Sequence, residues 1–241
     1  LLMAHTNPAV RAWDPAFAYE LATIIQYGIK EMVDDDKDVI HYIAVYNENY
    51  PMPAKPKSVD EGIIKGLYML RGAPKGDGPV VRLIGSGPIM LQVLDAVEKL
   101  EEFGVRSEIW SATSYGELRR DGLEVDRWNR LNPDKEAKKT WTQTQLGDSK
   151  TPIIAVSDNM AAVPDMVRKW MPENYEILGT DGFGRSDTRE ALRRFFEIDG
   201  VSITLAALSQ LVRKGDIDAK VYQKAVKKFD VDFTRNDITE L

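Results

Sequence analysis

The 241-residue chain contains no cysteine. That excludes disulfides, a thiolate nucleophile and thiolate metal sites, and it is compatible with the cytoplasmic location expected here. Histidine is nearly absent, with two residues in the chain. His41 falls inside a strand-like run, where a structural role is expected. His5 lies in the N-terminal stretch, too far away in sequence to suggest a shared metal site. No apolar run approaches the roughly 18 residues needed to cross a bilayer, so no membrane span is expected. The opening Leu1-Leu2-Met3-Ala4-His5 lacks the charged region, apolar region and cleavage site of a secretory signal. Basic residues do not exceed acidic ones, and the net charge is −6. A face built to neutralise phosphates is therefore not expected, nor is nucleic-acid binding as the main role.

What is present reads as an ordinary folded protein, 43% hydrophobic and 29% charged. Asp14 is an N-cap candidate with Pro15 at the first helical position. Phe17, Leu21, Ile24, Ile25, Gly28, Ile29 and Met32 then recur at helical spacing. Residues 39–46 are rich in β-branched and aromatic side chains and predict a strand. Pro51, Pro53 and Pro56 follow, a cluster that neither a helix nor a central strand tolerates, and mark a linker. Beyond it, Ser58 and Glu61 have capping-box spacing ahead of a helix. Strands are expected at 80–84, 105–110 and 152–156, with another at Ile177 and Leu178. A helix over 89–103 closes at Gly104, and another ends near Trp170. Two helices finish the chain, one ended by Gly215 and one beginning near Asp218.

Strands separated by helices predict an α/β fold with a mainly parallel sheet covered by helices on both faces. Residues 1–55 stand apart from the domain of residues 56–241, because one helix and one strand cannot bury their apolar faces alone. That leading piece is expected to be docked on the C-terminal domain, paired with a second copy, or poorly ordered.

Three turns carry possible chemistry. Gly179-Thr180-Asp181-Gly182-Phe183-Gly184-Arg185-Ser186-Asp187 joins a short apolar run to a helix-like segment, where Ser186 or Asp187 is a cap candidate and Asp187 with Glu190 has capping-box spacing. In open α/β sheets such turns lie where ligands and partners sit. Gly85-Ser86-Gly87-Pro88-Ile89-Met90 opens a helix after a strand, but Met90 stands where a dinucleotide fingerprint needs a small residue, so a tight turn is expected. Asn47-Glu48-Asn49-Tyr50 lies at the carboxyl end of the first strand, and from the residues alone reads as a polar loop tip.

The Gly179–Asp187 motif, the segment 46–53, the Gly85-Ser86-Gly87 turn and the run 111–122 with Arg127-Trp128-Asn129 together resemble one family. It is the homodimeric type of pyruvate dehydrogenase decarboxylating component, thiamine-diphosphate enzymes of the transketolase superfamily. The resemblance runs from about Asp14 to about Phe229. Members are several times longer, so the chain is expected to be a C-terminal fragment, which its lack of an initial Met fits. The resemblance implies a transketolase-like C-terminal domain at 56–241 and the end of a pyrimidine-binding domain at 1–55. It implies a parent enzyme that decarboxylates pyruvate with thiamine diphosphate and Mg²⁺, then acetylates the lipoyl group of an acyltransferase partner, as a homodimer.

For Glu48 the resemblance implies a place in the catalytic centre beside the cofactor, where a carboxylate serves acid–base or electrostatic work. Well-known members have a histidine where this chain has Pro51. Asn47, Asn49, Tyr50, Asp181, Phe183, Arg185 and Ser186 are expected at a domain interface or the rim of the active site. For Asp181 and Arg185 three placements stay open, a mutual pair, a contact with the neighbouring domain, or the active-site mouth, and domain contact is preferred. The family's pyrophosphate-clamping motif is missing: Gly76-Asp77-Gly78 lies in a Pro/Gly loop, and no Asn-Asn pair follows. The cofactor is thus not expected to bind this chain, and the fragment alone is expected to be inactive. The alternative role is a non-catalytic assembly or docking module.

Overall fold

The computed structural model describes residues 1–147 and 149–231. Residues 232–241 of the expected C-terminal domain lie outside the described residues. In chain order the elements are β1 (Val10–Trp13), α1 (Ala18–Ile29), β2 (Ile40–Ile43), α2 (Asp60–Lys65), β3 (Tyr68–Arg71), β4 (Val80–Gly85), α3 (Met90–Glu101) and β5 (Arg106–Ser111). They continue with α4 (Tyr115–Leu131), α5 (Trp141–Leu146), β6 (Ile153–Val156), α6 (Ala162–Asp165), β7 (Tyr175–Leu178), α7 (Arg189–Phe195), α8 (Gly200–Lys214) and α9 (Ala219–Phe229).

Five strands form one sheet in the order β3-β5-β4-β6-β7. β3 runs antiparallel at one edge and the other neighbours are parallel. Every residue of β6 is buried, as expected for a parallel strand covered on both faces. On one face Leu83, Ile109 and Ile154 meet Val93, Val97 and Leu100 of α3 and Ile203, Ala207 and Leu211 of α8. On the other, Ile84, Trp110, Ile153 and Ala155 meet Tyr115 and Leu118 of α4, Leu146 of α5 and Val163 of α6. Burying one such aliphatic side chain contributes about 1.5–3 kcal/mol, so this double-sided core is what holds the body together.

Local signals end the helices where they should. Gly104 and Gly215 take left-handed φ of 73° and 82°. Asp199 accepts a hydrogen bond from the Ser202 N–H at 2.9 Å, and Asp218 one from the Lys220 N–H at 2.7 Å. Residues 189–214 are, by length and composition, apolar enough to cross a membrane, which departs from the expected absence of such a run. They do not form one regular helix: α7 ends at Phe195, Glu197 takes a φ of 56°, and Asp199 caps α8, which packs against α3.

Several caps differ from expectation. Asp14 does not begin α1, whose N-cap is Phe17. Glu20 caps it instead, its Oε2 accepting from the backbone N–H groups of Ala16 and Phe17 at 2.5 and 3.1 Å. Ser58 takes a φ of 59°, and the N-cap of α2 is Val59, which makes no side-chain cap bond. Thr188, not Ser186 or Asp187, caps α7 by accepting from the Ala191 N–H at 3.3 Å. The helix expected to end near Trp170 is split into α6 and a single 3-10 turn over Arg168–Trp170. β1 and β3 were not expected; each has four residues.

The leading segment is docked on the body. β1 and β2 form a separate parallel pair. β1 and the residue after it are joined to the body by backbone and side-chain bonds: Asp14 N–H to Thr113 O at 2.8 Å, and Ser114 Oγ to Ala12 O at 2.6 Å. Trp13 and Ile24 meet Val59, Ile63 and Tyr68 in a small apolar seam. At that seam Gly66 has a φ of 97°, and a Cβ there would lie 2.3 Å from Ser114 O, so only glycine fits.

Candidate functional site

β4 is followed in sequence by β5 on one side of it in the sheet, and later by β6 on the other side. The carboxyl ends of β4 and β6 are therefore the topological switch point, where open α/β sheets place ligands. Here the crevice is filled from the leading segment. Asp14 reaches in and receives the Tyr46 hydroxyl on Oδ1 at 2.8 Å and the Asn159 Nδ2 on Oδ2 at 3.4 Å. Its backbone carbonyl accepts from Gly87 N–H at 2.9 Å. Gly87 has a φ of 51°, and a Cβ on it would sit 2.5 Å from Asp14 Oδ1, so the turn after β4 is shaped around this carboxyl. Burial pushes the Asp14 carboxyl up to about 6, against the opposing pull of the Tyr46 and Ser86 hydroxyls.

From β2 the chain runs on without regular structure through residues 44–56. This arm lies across the mouth of the crevice. Glu48 is gripped by Arg193 through two bonds, Nη1 to Oε1 at 3.1 Å and Nη2 to Oε2 at 2.6 Å. Arg189, one turn earlier on α7, donates to Asn47 Oδ1 at 2.5 Å, and its Nε lies 3.8 Å from Glu48 Oε2. The Tyr50 hydroxyl donates to the carbonyl of Ala16. Beside the ion pair, burial raises the Asp158 carboxyl above its ordinary value; Arg193 opposes that and Glu48 reinforces it. Tyr46, Glu48, Asp158, Thr180, Arg189 and Arg193 line a cleft of about 170 Å³.

The sequence-derived residues divide into two groups. Asn47, Glu48 and Tyr50 lie on the arm and contact either the body or the turn ahead of α1, while Asn49 is exposed. The glycine-rich turn is less engaged than expected. Asp181 accepts from the Ala161 N–H at 3.2 Å, and the Arg185 guanidinium stacks over the Phe195 ring at 5.3 Å. Both contacts stay within the body, and the arm of the leading segment is met by Arg189 and Arg193, just beyond that turn. Phe183 and Ser186 are exposed. Asp14, Asp158, Arg189 and Arg193 were missed. The four-residue spacing of the two arginines on α7 was the available signal.

His41 belongs to another network. Trp13 Nε1 donates to its Nδ1 at 3.0 Å, and its Nε2 faces Glu31 Oε2 at 3.2 Å. Burial lowers its pKa, with Glu31 opposing that, and its two ring nitrogens face Trp13 and Glu31 within the leading segment. The residues present do not fit a metal–pyrophosphate clamp. Asp77 is exposed in the bend between β3 and β4, and the adjacent Gly78 carbonyl is taken by Arg106 at 2.6 and 2.9 Å. Among the described residues no group of three metal-ligating side chains occurs.

Comparison with known proteins gives two family-model matches. Residues 66–199 match the transketolase-like C-terminal domain, and residues 1–53 match the middle domain of the pyruvate dehydrogenase E1 component. The chain is 46% identical to the pyruvate dehydrogenase E1 component of Pseudomonas aeruginosa, over 96% of this chain and 26% of that protein. It is 42% identical to the Escherichia coli K12 component, over 94% of this chain and 26% of that one. The chain thus spans about a quarter of the length of the curated relatives it matches. Among solved structures, a transketolase from Pichia stipitis superposes with a TM-score of 0.61 at 19% identity, covering 88% of this chain and 26% of that one. At that identity the likeness concerns the fold.

Proposed function

We propose, for a chain that belongs to the transketolase-like C-terminal-domain family and carries the end of a pyruvate dehydrogenase E1 middle domain in front of it, that it is the closing part of a pyruvate dehydrogenase (acetyl-transferring). Residues 1–55 would be the end of the pyrimidine-binding domain and residues 56–241 the C-terminal domain. The observation that carries the reading is similarity that runs unbroken across both pieces, 46% over 96% of the chain. The longer enzyme releases CO₂ from pyruvate with thiamine diphosphate and Mg²⁺. The remaining two-carbon unit, at the oxidation level of acetaldehyde, would be oxidised to acetyl as it reduces a lipoyl disulfide of an acyltransferase partner, one sulfur ending as the acetyl thioester and the other as a free thiol. Glu48 is the acid–base or electrostatic group this chain contributes. A homodimer and a cytoplasmic setting belong to the same reading.

Among the described residues no group of three metal-ligating side chains stands, and the role proposed for this part is to supply and fix one wall of the site. The purified 241-residue chain, given pyruvate, thiamine diphosphate and Mg²⁺, is expected to release no CO₂; turnover would sink this reading. A second reading, an assembly module, is favoured by apolar surface on the leading segment, where Ile29, Val33 and Ile40 are all more than half exposed. Glu48→Ala in the longer enzyme separates the two. Lost turnover with intact assembly supports the catalytic contribution, and unchanged turnover supports the assembly module.

A further inference from the structure

We propose that Arg193 is a positioning residue for Glu48, orienting that carboxylate from the C-terminal body; this rests on the reading of Glu48 given above. The arm that carries Glu48 has no strand partner, so its conformation is set by side-chain anchors. Tyr46 is tied to Asp14 and Tyr50 to the Ala16 carbonyl, and both anchors lie on the leading segment. Between them Glu48 crosses to the body and meets α7.

Arg193 is suited to orientation in a way that its neighbour is not. Its guanidinium addresses both carboxylate oxygens, at 3.1 and 2.6 Å, and a two-point grip fixes the plane of the carboxylate as well as its place. The pair is sheltered, with side chains 10% and 17% exposed, so water competes weakly for either partner. Arg189 offers one longer approach of 3.8 Å from a side chain 55% exposed, a supplement to the charge that sets no plane. The backbone supports the same reading. α7 is capped by Thr188 directly after the glycine-rich turn, so that turn determines where Arg193 stands. The nearby Asp158 carboxyl, raised by burial, also feels the Arg193 charge, which opposes that rise.

The test is a double-substitution cycle in the longer enzyme, reading kcat and KM for pyruvate in Arg193→Gln, Arg193→Lys, Glu48→Gln and the Arg193→Gln/Glu48→Gln pair. Arg193→Gln is expected to lower kcat about tenfold or more while KM changes less than about threefold. Arg193→Lys, which keeps charge without the fork, recovers part of the loss. The pair is no slower than Glu48→Gln alone, because a positioned group that has lost its function no longer needs positioning. Losses that multiply in the pair, or an unchanged kcat in Arg193→Gln, overturn the inference. Unchanged kcat in Glu48→Gln instead removes the reading of Glu48 on which it rests. Thermal unfolding of the 241-residue chain with each substitution separates folding from orientation. If Arg193→Gln does not fold, the Arg193→Lys variant decides, and wild-type kcat there overturns the inference.

Discussion

In the body, Leu83, Ile109, Ile153 and Ile154 are sealed between helices on two faces of one sheet, and no solvent reaches them. In the leading segment, the fully buried groups include the carboxylates of Glu20 and Glu31, while Ile29, Val33 and Ile40 face outward. Glu20 Oε1 accepts from the Tyr68 hydroxyl at 2.5 Å and the Ser111 hydroxyl at 2.7 Å, tying α1 to β3 and β5. The body is held by non-directional apolar burial, whereas the leading segment combines a small apolar seam around Trp13 and Ile24 with a few oriented polar bonds. Polar bonds of this kind are modest in net worth when made and costly when one partner is lost. On this contrast the body is expected to keep its shape more firmly than the leading segment. The leading segment takes its place from the body, and Glu48 inherits that placement.

The largest expected effect comes from the charge that the crevice has to bury. Asp14 titrates at about 6 in the folded chain against an ordinary value of 3.8. Between those values the folded chain holds a proton that the unfolded chain has released. This contribution is therefore full below pH 3.8 and is lost as pH rises through 6. The gap corresponds to about 3 kcal/mol. Urea unfolding from pH 4 to 7, compared with Asp14→Asn, is expected to show the wild type losing about that much relative to the variant. An equal pH dependence in the two chains would mean that this seam is as indifferent to charge as the body core.

The smallest effect is expected on the outer face. Val33→Lys, at a position 70% exposed, should change unfolding free energy by no more than about 0.5 kcal/mol. It should also reduce self-association in light scattering at high protein concentration, since it interrupts an apolar surface. A large destabilisation would show that this face is packed in solution, and the contrast with the body would weaken.

What could be read from the residues follows the same division. Strands at 80–85, 106–111 and 153–156, and helix ends at Gly104, Gly215 and Asp218, were legible because apolar runs and caps are local signals. β1 and β3 were not, since four residues at an edge carry too little pattern. Asp14 followed by Pro15 has the local appearance of a helix cap, and only the approach of Gly87 and Asn159 turns it into a buried carboxyl. Glu48 came from family resemblance, and although Arg189 and Arg193 share a helix face by their spacing, nothing local pairs Arg193 with a carboxylate 145 residues away. The glycine-rich turn drew notice for its own side chains, yet it acts on the cleft through the helix it introduces.

Native-state hydrogen exchange on the 241-residue chain tests this division most directly. Amides of α1 and β2 are expected to exchange through an opening of lower free energy than those of β4, β5 and β6, and Glu20→Gln should quicken the first set while leaving the second unchanged. One shared opening free energy for both sets, shifted together by Glu20→Gln, would contradict the account.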